Sequence, residues 1–287
     1  MADQSKSKPK IHYPKLGVCL FIGFIIWWLP VPNLPDGLIL PDGADFTKGW
    51  CVFAVFAATI LCFILRPMPM GPTVLLALVV LAATKTLGET GKESFAAAMA
   101  GYGNTTVWLV VGAFLIAGAM IRTGLGKRIA LGCVVKFGKT TLGLGYATAA
   151  AEFILGPIIP SNTARGGGVM APVVNSLARA LGSTPEGQPK RAGEYLMLNG
   201  AHLNLITAAM FLTGMAANSL VVDYAFKEGV KFGWLTWLKG SIVPGMVSLF
   251  LLPWFLFKLL KPELQDAKAA QTKAREQLSE MGVWTRG

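Results

Sequence analysis

Charge is what this chain has least of. Charged residues make up 14% of its 287 positions, whereas a soluble domain carries roughly 25%. So few cannot cover a water-facing surface, and with 53% hydrophobic residues and a mean hydropathy of +0.54 a soluble globular fold is excluded. Histidine is nearly absent, with only His12 and His202. The four cysteines (Cys19, Cys51, Cys62, Cys133) are scattered without metal-ligand spacing, which argues against a zinc site and leaves them as small buried residues. No His-Glu-x-x-His or Gly-x-Ser-x-Gly motif occurs, and neither Gly143-x-Gly145 nor the glycines at 166–168 have the strand context of a nucleotide loop. No enzyme and no cofactor is therefore expected. Acidic residues are scarcer than basic ones, 15 against 26, giving a formal charge of +11. In a soluble protein that excess would point to nucleic acid. Here it fits loops that stay cytoplasmic, so the expected partner is a lipid bilayer, with no nucleic acid.

What is present is a series of apolar runs, several reaching the ~17–25 residues a spanning helix needs. The basic N-terminus, Met1 to Lys15, precedes a long run without a small-residue cleavage site, so it reads as a retained, cytoplasmic start rather than a removed signal. Spans are expected at about Leu16–Pro32, Trp50–Leu65, Pro72–Thr84 and Thr105–Ile121, with a surface helix within Thr86–Gly103. The loop holding Asp36, Asp42, Asp45 and Lys48 suits the outer face. Arg122 to Lys139 has five basic residues and no acidic one, interleaved with Ile129, Leu131, Val134, Val135 and Phe137, which predicts an amphipathic helix at the cytoplasmic interface. A last span is expected at about Leu235–Phe257, and the tail from Glu263 to Glu280 as a solvated helix.

Leu142 to Leu181 is apolar but interrupted by Pro160–Gly168, and basic residues on both flanks (Lys139, Arg179, Lys190, Arg191) place both ends on one side. It is either two full spans or a re-entrant hairpin. Arms of about 18 and 13 residues favour the hairpin, because the second is too short to cross ~30 Å. Irregular polar backbone in lipid survives only where it is buried in protein or lines a cavity, and a broken apolar helix points to a transport site. At the tip, Ser161, Asn162 and Thr163 supply donors and acceptors, and Gly166, Gly167 and Gly168 allow close approach to the backbone. The start of the second arm presents unpaired N–H groups suited to carboxylates, while its oxygens suit Na⁺. Ordinary helix capping would use the same Ser-Asn-Thr residues. Arg165 either attracts a dianion or ties the hairpin to nearby carbonyls. Glu152 is either a proton relay or a partner for Arg165. A second unwound point is expected at Thr213–Ser219, after an apolar segment (Tyr195–Phe211) containing Asn199, His202 and Asn204. Those three are expected to form interhelical hydrogen bonds.

The run Pro157-Ile158-Ile159-Pro160-Ser161-Asn162-Thr163-Ala164-Arg165-Gly166-Gly167-Gly168 resembles the first signature of the divalent anion:sodium symporter family. The surrounding chain is most similar to its citrate/succinate, tartrate/succinate and 2-oxoglutarate/malate translocator branch, and Phe211 to Asn218 resembles that branch's broken fifth helix. The resemblance implies an all-α polytopic membrane protein, one inverted repeat of an elevator-type carrier with a re-entrant helical hairpin and a broken helix. It divides the chain into a tail and scaffold-type helices (1–121), an interfacial arm (122–139), a transport-type region (140–260: hairpin 140–182, broken helix 193–231, last span 235–257) and a cytoplasmic linker helix (261–287). The implied activity is secondary transport of di- or tricarboxylates across an inner membrane, by Na⁺ symport or exchange, in a homodimer or with a missing second half. Substrate would meet Ser161, Asn162, Thr163, Thr213 and Asn218. A cation would meet Ser161, Asn162, Thr207 and Ala208, with Arg165 and the three glycines in support. Because only one Ser-Asn-Thr tip is present, the chain is expected to be a truncated or split form, and the alternative is a non-transporting remnant or assembly partner.

Overall fold

The computed structural model describes residues 11–32 and 45–282. Asp36 and Asp42, expected in an outer loop, and the last five residues of the expected linker lie outside the described residues. Every named element is a helix, and the chain divides into two compact units, residues 1–104 and 105–287.

The first unit begins with α1 (Tyr13–Trp28), which starts a turn earlier than expected because Pro14 is preset for the first helical turn. Helix α2 (Phe46–Leu65) also starts earlier. Its N-cap, Asp45, accepts the N–H groups of Thr47 and Lys48, so Lys48 belongs to the helix rather than the preceding loop and pairs with Glu89. Helix α2 ends at Arg66 in the left-handed conformation (φ 51°), a basic residue at the negative end of the helix. A short turn leads into α3 (Met70–Ala83). Then α4 (Gly91–Met99) opens with a reciprocal cap between Thr90 and Glu93. The apolar groove of about 470 Å³ in this unit is walled by residues such as Leu16, Phe24, Trp27 and Leu76. Its Thr59, Thr73 and Thr84 hydroxyls donate to carbonyls of their own helices, leaving little to hold an ion.

The second unit starts with α5 (Thr105–Arg122) and α6 (Leu125–Phe137), the expected basic amphipathic helix. Leu131 and Val134 are buried in α6 while Phe137 is exposed. Helix α7 (Thr141–Leu155) is capped by Thr140 and buries Leu144, Ala147, Ala151 and Leu155. After a turn at 156–161, α8 (Asn162–Arg165) passes through a π-helical turn (Gly166–Met170) into α9 (Ala171–Ala180). The interruption is thus shorter than Pro160–Gly168. The glycines do not break the second arm; they widen it, and the arm runs 19 residues, from 162 to 180, against the roughly 13 expected. The first arm, α7, runs 15 against about 18, so the short-second-arm argument for a re-entrant hairpin over two full spans does not hold. Bulky side chains would resist the wider π turn, whereas three glycines let backbone pack closely.

Helix α10 (Gly193–Met210) is followed by an irregular stretch around Leu212–Gly214 and then α11 (Ala216–Lys227). Helix α12 (Trp234–Leu260) is long, with Pro244 and Pro253 inside it. Helix α13 (Lys268–Glu280) is not solvated all round, as the tail was expected to be. Ala267, Ala270 and Ala274 are wholly buried, Gln271 donates to the Val135 carbonyl (2.7 Å) and Gln277 to Ser176 (2.6 Å). Alanines at this spacing make a flat strip that lets α13 lie against α6 and α9.

By length and composition, α2, α5 and α12 can each cross a membrane, with α1, α3 and α7 as shorter apolar helices. Large apolar side chains such as Phe24, Leu115, Phe250 and Leu259 stand 62–72% exposed, which is stable only against lipid or protein. The chain is an all-helical polytopic membrane protein.

Candidate functional site

Two interruptions meet in the second unit, one in the α7–α8 turn and one between α10 and α11. The Thr213 hydroxyl donates to the Pro157 carbonyl in the turn (3.1 Å). Arg165 donates to the Gly214 carbonyl (3.3 Å), and the Phe153 and Phe211 rings pack with centroids 5.5 Å apart.

Arg165 holds this junction. It is 0% exposed, and each of its five N–H groups has an acceptor. Nε donates to Glu152 Oε2 (2.7 Å), Nη1 to the carbonyls of Ile159 (2.9 Å) and Gly214, and Nη2 to the Asn204 carbonyl (3.3 Å) and Thr207 Oγ1 (3.1 Å). Of the two roles the sequence left open, the geometry shows the second: Arg165 ties the hairpin to nearby carbonyls. Glu152, equally buried, is its partner. Asn204 Nδ2 reaches both Glu152 oxygens (3.2 and 3.3 Å), and Thr207 Oγ1 lies 3.1 Å from Oε2. Such a pair survives burial because its remaining lone pairs and protons are satisfied.

The α10–α11 break is also closed internally. A helix end leaves its last carbonyls without partners. Here Asn218 Nδ2 donates to Ala208 (2.8 Å) and Phe211 (2.9 Å), Trp237 Nε1 to Ala209 (3.0 Å), and Ser241 to Met210 (2.6 Å). Only glycine fits at 214, since a Cβ there would stand 2.7 Å from the Ala208 carbonyl oxygen. Thr207, Ala208, Thr213 and Asn218 are therefore brought into the junction but are held by protein partners.

A mostly apolar cleft with a few polar residues lies beside the junction. The cleft, of about 410 Å³, is lined by Asn162, Thr163, Gly166 and Gly167 from the second arm and by Asn204 from α10, between apolar walls such as Met170, Val174 and Met197. Ser161 does not line it. Its hydroxyl caps the Ala164 N–H (3.2 Å), as ordinary capping would have it. The N–H groups of Asn162 and Thr163, in the first turn, have no intrahelical partner. Gly168 is exposed, and a Cβ there would meet only the Ile121 side chain, at 3.8 Å. Among the described residues no group of three or more His, Cys, Asp or Glu could hold a metal ion, so any cation would rest on carbonyl, amide and hydroxyl oxygens.

Sequence reasoning assigned Asn204 only to helix contacts and missed its place on the cleft. The available signal was its spacing, one turn before Thr207 on the same face of α10. His202, by contrast, is exposed and bonds its own helix at the Leu198 carbonyl. Asn199 donates to Gly145 (3.2 Å), the interhelical role expected of it.

The family described as the sodium:sulfate symporter transmembrane region matches residues 10–287. A Bacillus subtilis (strain 168) protein named, provisionally, as the malate transporter YflS is 43% identical over 267 residues, 92% of this chain and 52% of its own length. Dicarboxylate transporter 1, chloroplastic, of Spinacia oleracea is 38% identical over 269 residues, 93% of this chain and 44% of its own. The citrate/succinate antiporter of Escherichia coli (strain K12) is 36% identical over 279 residues, covering 91% and 57%. The chain spans about half the length of the curated relatives it matches, and these relatives bear the names of transporters, not enzymes. With the family match running through the hairpin, the junction and the helices around them, this chain belongs to the sodium:sulfate symporter family, the divalent anion:sodium symporters that its Ser161-Asn162-Thr163 run resembles.

Proposed function

We propose that this chain serves secondary active transport of di- or tricarboxylates, such as citrate, succinate, malate or 2-oxoglutarate, across an inner membrane. The observation that carries this is the cleft beside the junction. Asn162 and Thr163 stand there with uncommitted side chains and first-turn N–H groups, in a part of the chain otherwise apolar enough to lie in lipid. Polar groups at that depth are costly unless they have a use. The relatives' names, which speak of malate, dicarboxylate and citrate/succinate, support the substrate class.

In this reading one substrate carboxylate accepts from the Asn162 amide, the Thr163 hydroxyl and the first-turn N–H groups at the positive end of the helical arm. Arg165 sets the shape of the tip rather than touching the anion. Residues 140–182 form a re-entrant hairpin and 193–231 a broken helix. They belong to the transport part of an elevator, with scaffold-type helices within residues 1–121 and the linking arm at 122–139. The N-terminus lies in the cytoplasm. A second copy, or a second half-site, supplies the remaining carboxylate contacts. Sodium, if it is the coupling ion, takes oxygens of Ser161, Asn162, Thr207 and Ala208.

The test is uptake of labelled succinate and citrate into proteoliposomes holding the purified full chain, with and without a sodium gradient, and with succinate inside for exchange. Losing a hydrogen bond to a charged group is worth about 1.5–3 kcal/mol, so Asn162→Ala is expected to lower uptake by roughly 10- to 100-fold. Uptake that Asn162→Ala leaves unchanged overturns the assignment of this cleft.

A further inference from the structure

Asn204 stands where the buried ion pair meets the open cleft, and its two amide ends face different surroundings. Its Nδ2 is directed to both oxygens of Glu152, at 3.2 and 3.3 Å. Glu152 Oε2 also accepts from Arg165 Nε at 2.7 Å, and a carboxylate paired in this way offers only acceptor oxygens. The nitrogen end of Asn204 therefore cannot turn away without opposing its own oxygen to that carboxylate. The amide also rests against the backbone of the second arm: a Cβ at Gly166 would stand 3.1 Å from Asn204 Cγ and 3.2 Å from both Nδ2 and Oδ1, so the face of the amide lies on a glycine. Asn204 lines the cleft, and with its nitrogen fixed inward, Oδ1 is the atom it presents there.

This sign matters. Fully ionised succinate offers the cleft only acceptor oxygens, and the Asn204 oxygen repels them. The complementary group is a donor within a few ångströms of a carboxylate. We infer that the cleft is built for 2-hydroxy di- or tricarboxylates, and that Asn204 is the residue that reads the hydroxyl. The inference rests on the transport reading above. Asn162 and Thr163 take the carboxylate from one side of the cleft, and the substrate hydroxyl donates to Asn204 Oδ1 on the other. A site that hydrogen-bonds a hydroxyl discriminates against the analogue lacking it, because its own buried polar atom is then left without a partner. Glu152 and Arg165 act on this choice through Asn204 and do not touch the substrate.

The test is equilibrium binding of L-malate, succinate and methylsuccinate to the purified full chain. The buffer contains choline in place of sodium, so that no small cation can stand in for the hydroxyl proton. Methylsuccinate fills the space of the hydroxyl without its donor. The wild-type chain is expected to bind malate roughly tenfold more tightly than either analogue. Asn204→Ala should bring the malate-to-succinate ratio close to one. Asn204→Ser guards against loss of folding by keeping a small polar side chain: its hydroxyl is too short to stand where the amide oxygen stood, and the ratio should again approach one. A role confined to holding Glu152 would lower both affinities together and keep the ratio, which overturns the inference. Equal wild-type affinity for malate and succinate overturns it while leaving the transport reading intact. Binding of none of the acids, in choline and again in sodium buffer, overturns both.

Discussion

Replacing Arg165 with methionine keeps most of the volume of a wholly buried side chain and removes the guanidinium donors that join the α7–α8 turn to α10 and the α10–α11 break, leaving only bonds such as that from Thr213 to the Pro157 carbonyl. Glu152 would then be a carboxylate at 0% exposure whose remaining donors are the Asn204 amide and the Thr207 hydroxyl. Removing one partner of a buried pair costs about 3–5 kcal/mol, because the other charge is left uncompensated. The carbonyls of Ile159 and Gly214 lose a donor as well. For a chain of this size, about 2–4 °C is lost per kcal/mol, so the variant should melt roughly 6–20 °C below wild type, followed by fluorescence-detected size exclusion in mild detergent. Neutralising the partner should recover part of the loss. Arg165→Met combined with Glu152→Gln is expected to melt above Arg165→Met alone, since a neutral amide is cheaper to bury than a stranded carboxylate. Arg165→Lys should fall between, because an ammonium keeps the charge but cannot spread five donors over the same acceptors. A single variant that melts within a degree or two of wild type, or a double variant no better than the single, would refute the claim that this pair holds the junction together.

Asn218→Ala should cost about 2 kcal/mol, seen as a lowered melting temperature, because the Ala208 and Phe211 carbonyls lose their shared donor at a site only 4% exposed. Gly145→Ala should destabilise by about 1–3 kcal/mol, since its Cβ would stand 2.0 Å from the Tyr195 hydroxyl and displace it from the Pro253 carbonyl. Adding Tyr195→Phe to Gly145→Ala should restore part of that stability, and a thermal-melting double-mutant cycle checks the coupling.

Much of the candidate site was legible in the sequence because its local rules are strong. Ser161 at the head of a helical arm is a capping signal, and the structure puts its hydroxyl on the Ala164 N–H. Polar and small residues at Thr213–Ser219 announced a break; it falls slightly earlier, at 211–215, and Ala216–Ser219 already belong to α11. The glycines at 166–168 misled, since the same residues that end a helix in water can widen one where a neighbour presses close, as Asn204 does on Gly166. The role of Arg165 was undecidable from sequence. Its partners lie 6 and 13 residues back and 39 to 49 residues ahead, and only the packed fold brings the distant ones together. For the same reason α13 read as solvated: Lys, Gln and Glu dominate its composition, while Ala267, Ala270 and Ala274 decide which face is buried.

The account's central claim is that carboxylates are held at the hairpin tip, in the cleft beside the junction, and Thr163 is the exposed polar side chain on that cleft. A cysteine at position 163, in a background with Cys19, Cys51, Cys62 and Cys133 replaced by alanine or serine, can be titrated with a small water-soluble maleimide in sealed vesicles. The account predicts that this thiol reacts from the cytoplasmic side and that malate or citrate slows its reaction in a saturable way. A thiol that reacts only from the opposite side, or at a rate that no carboxylate alters, would contradict it.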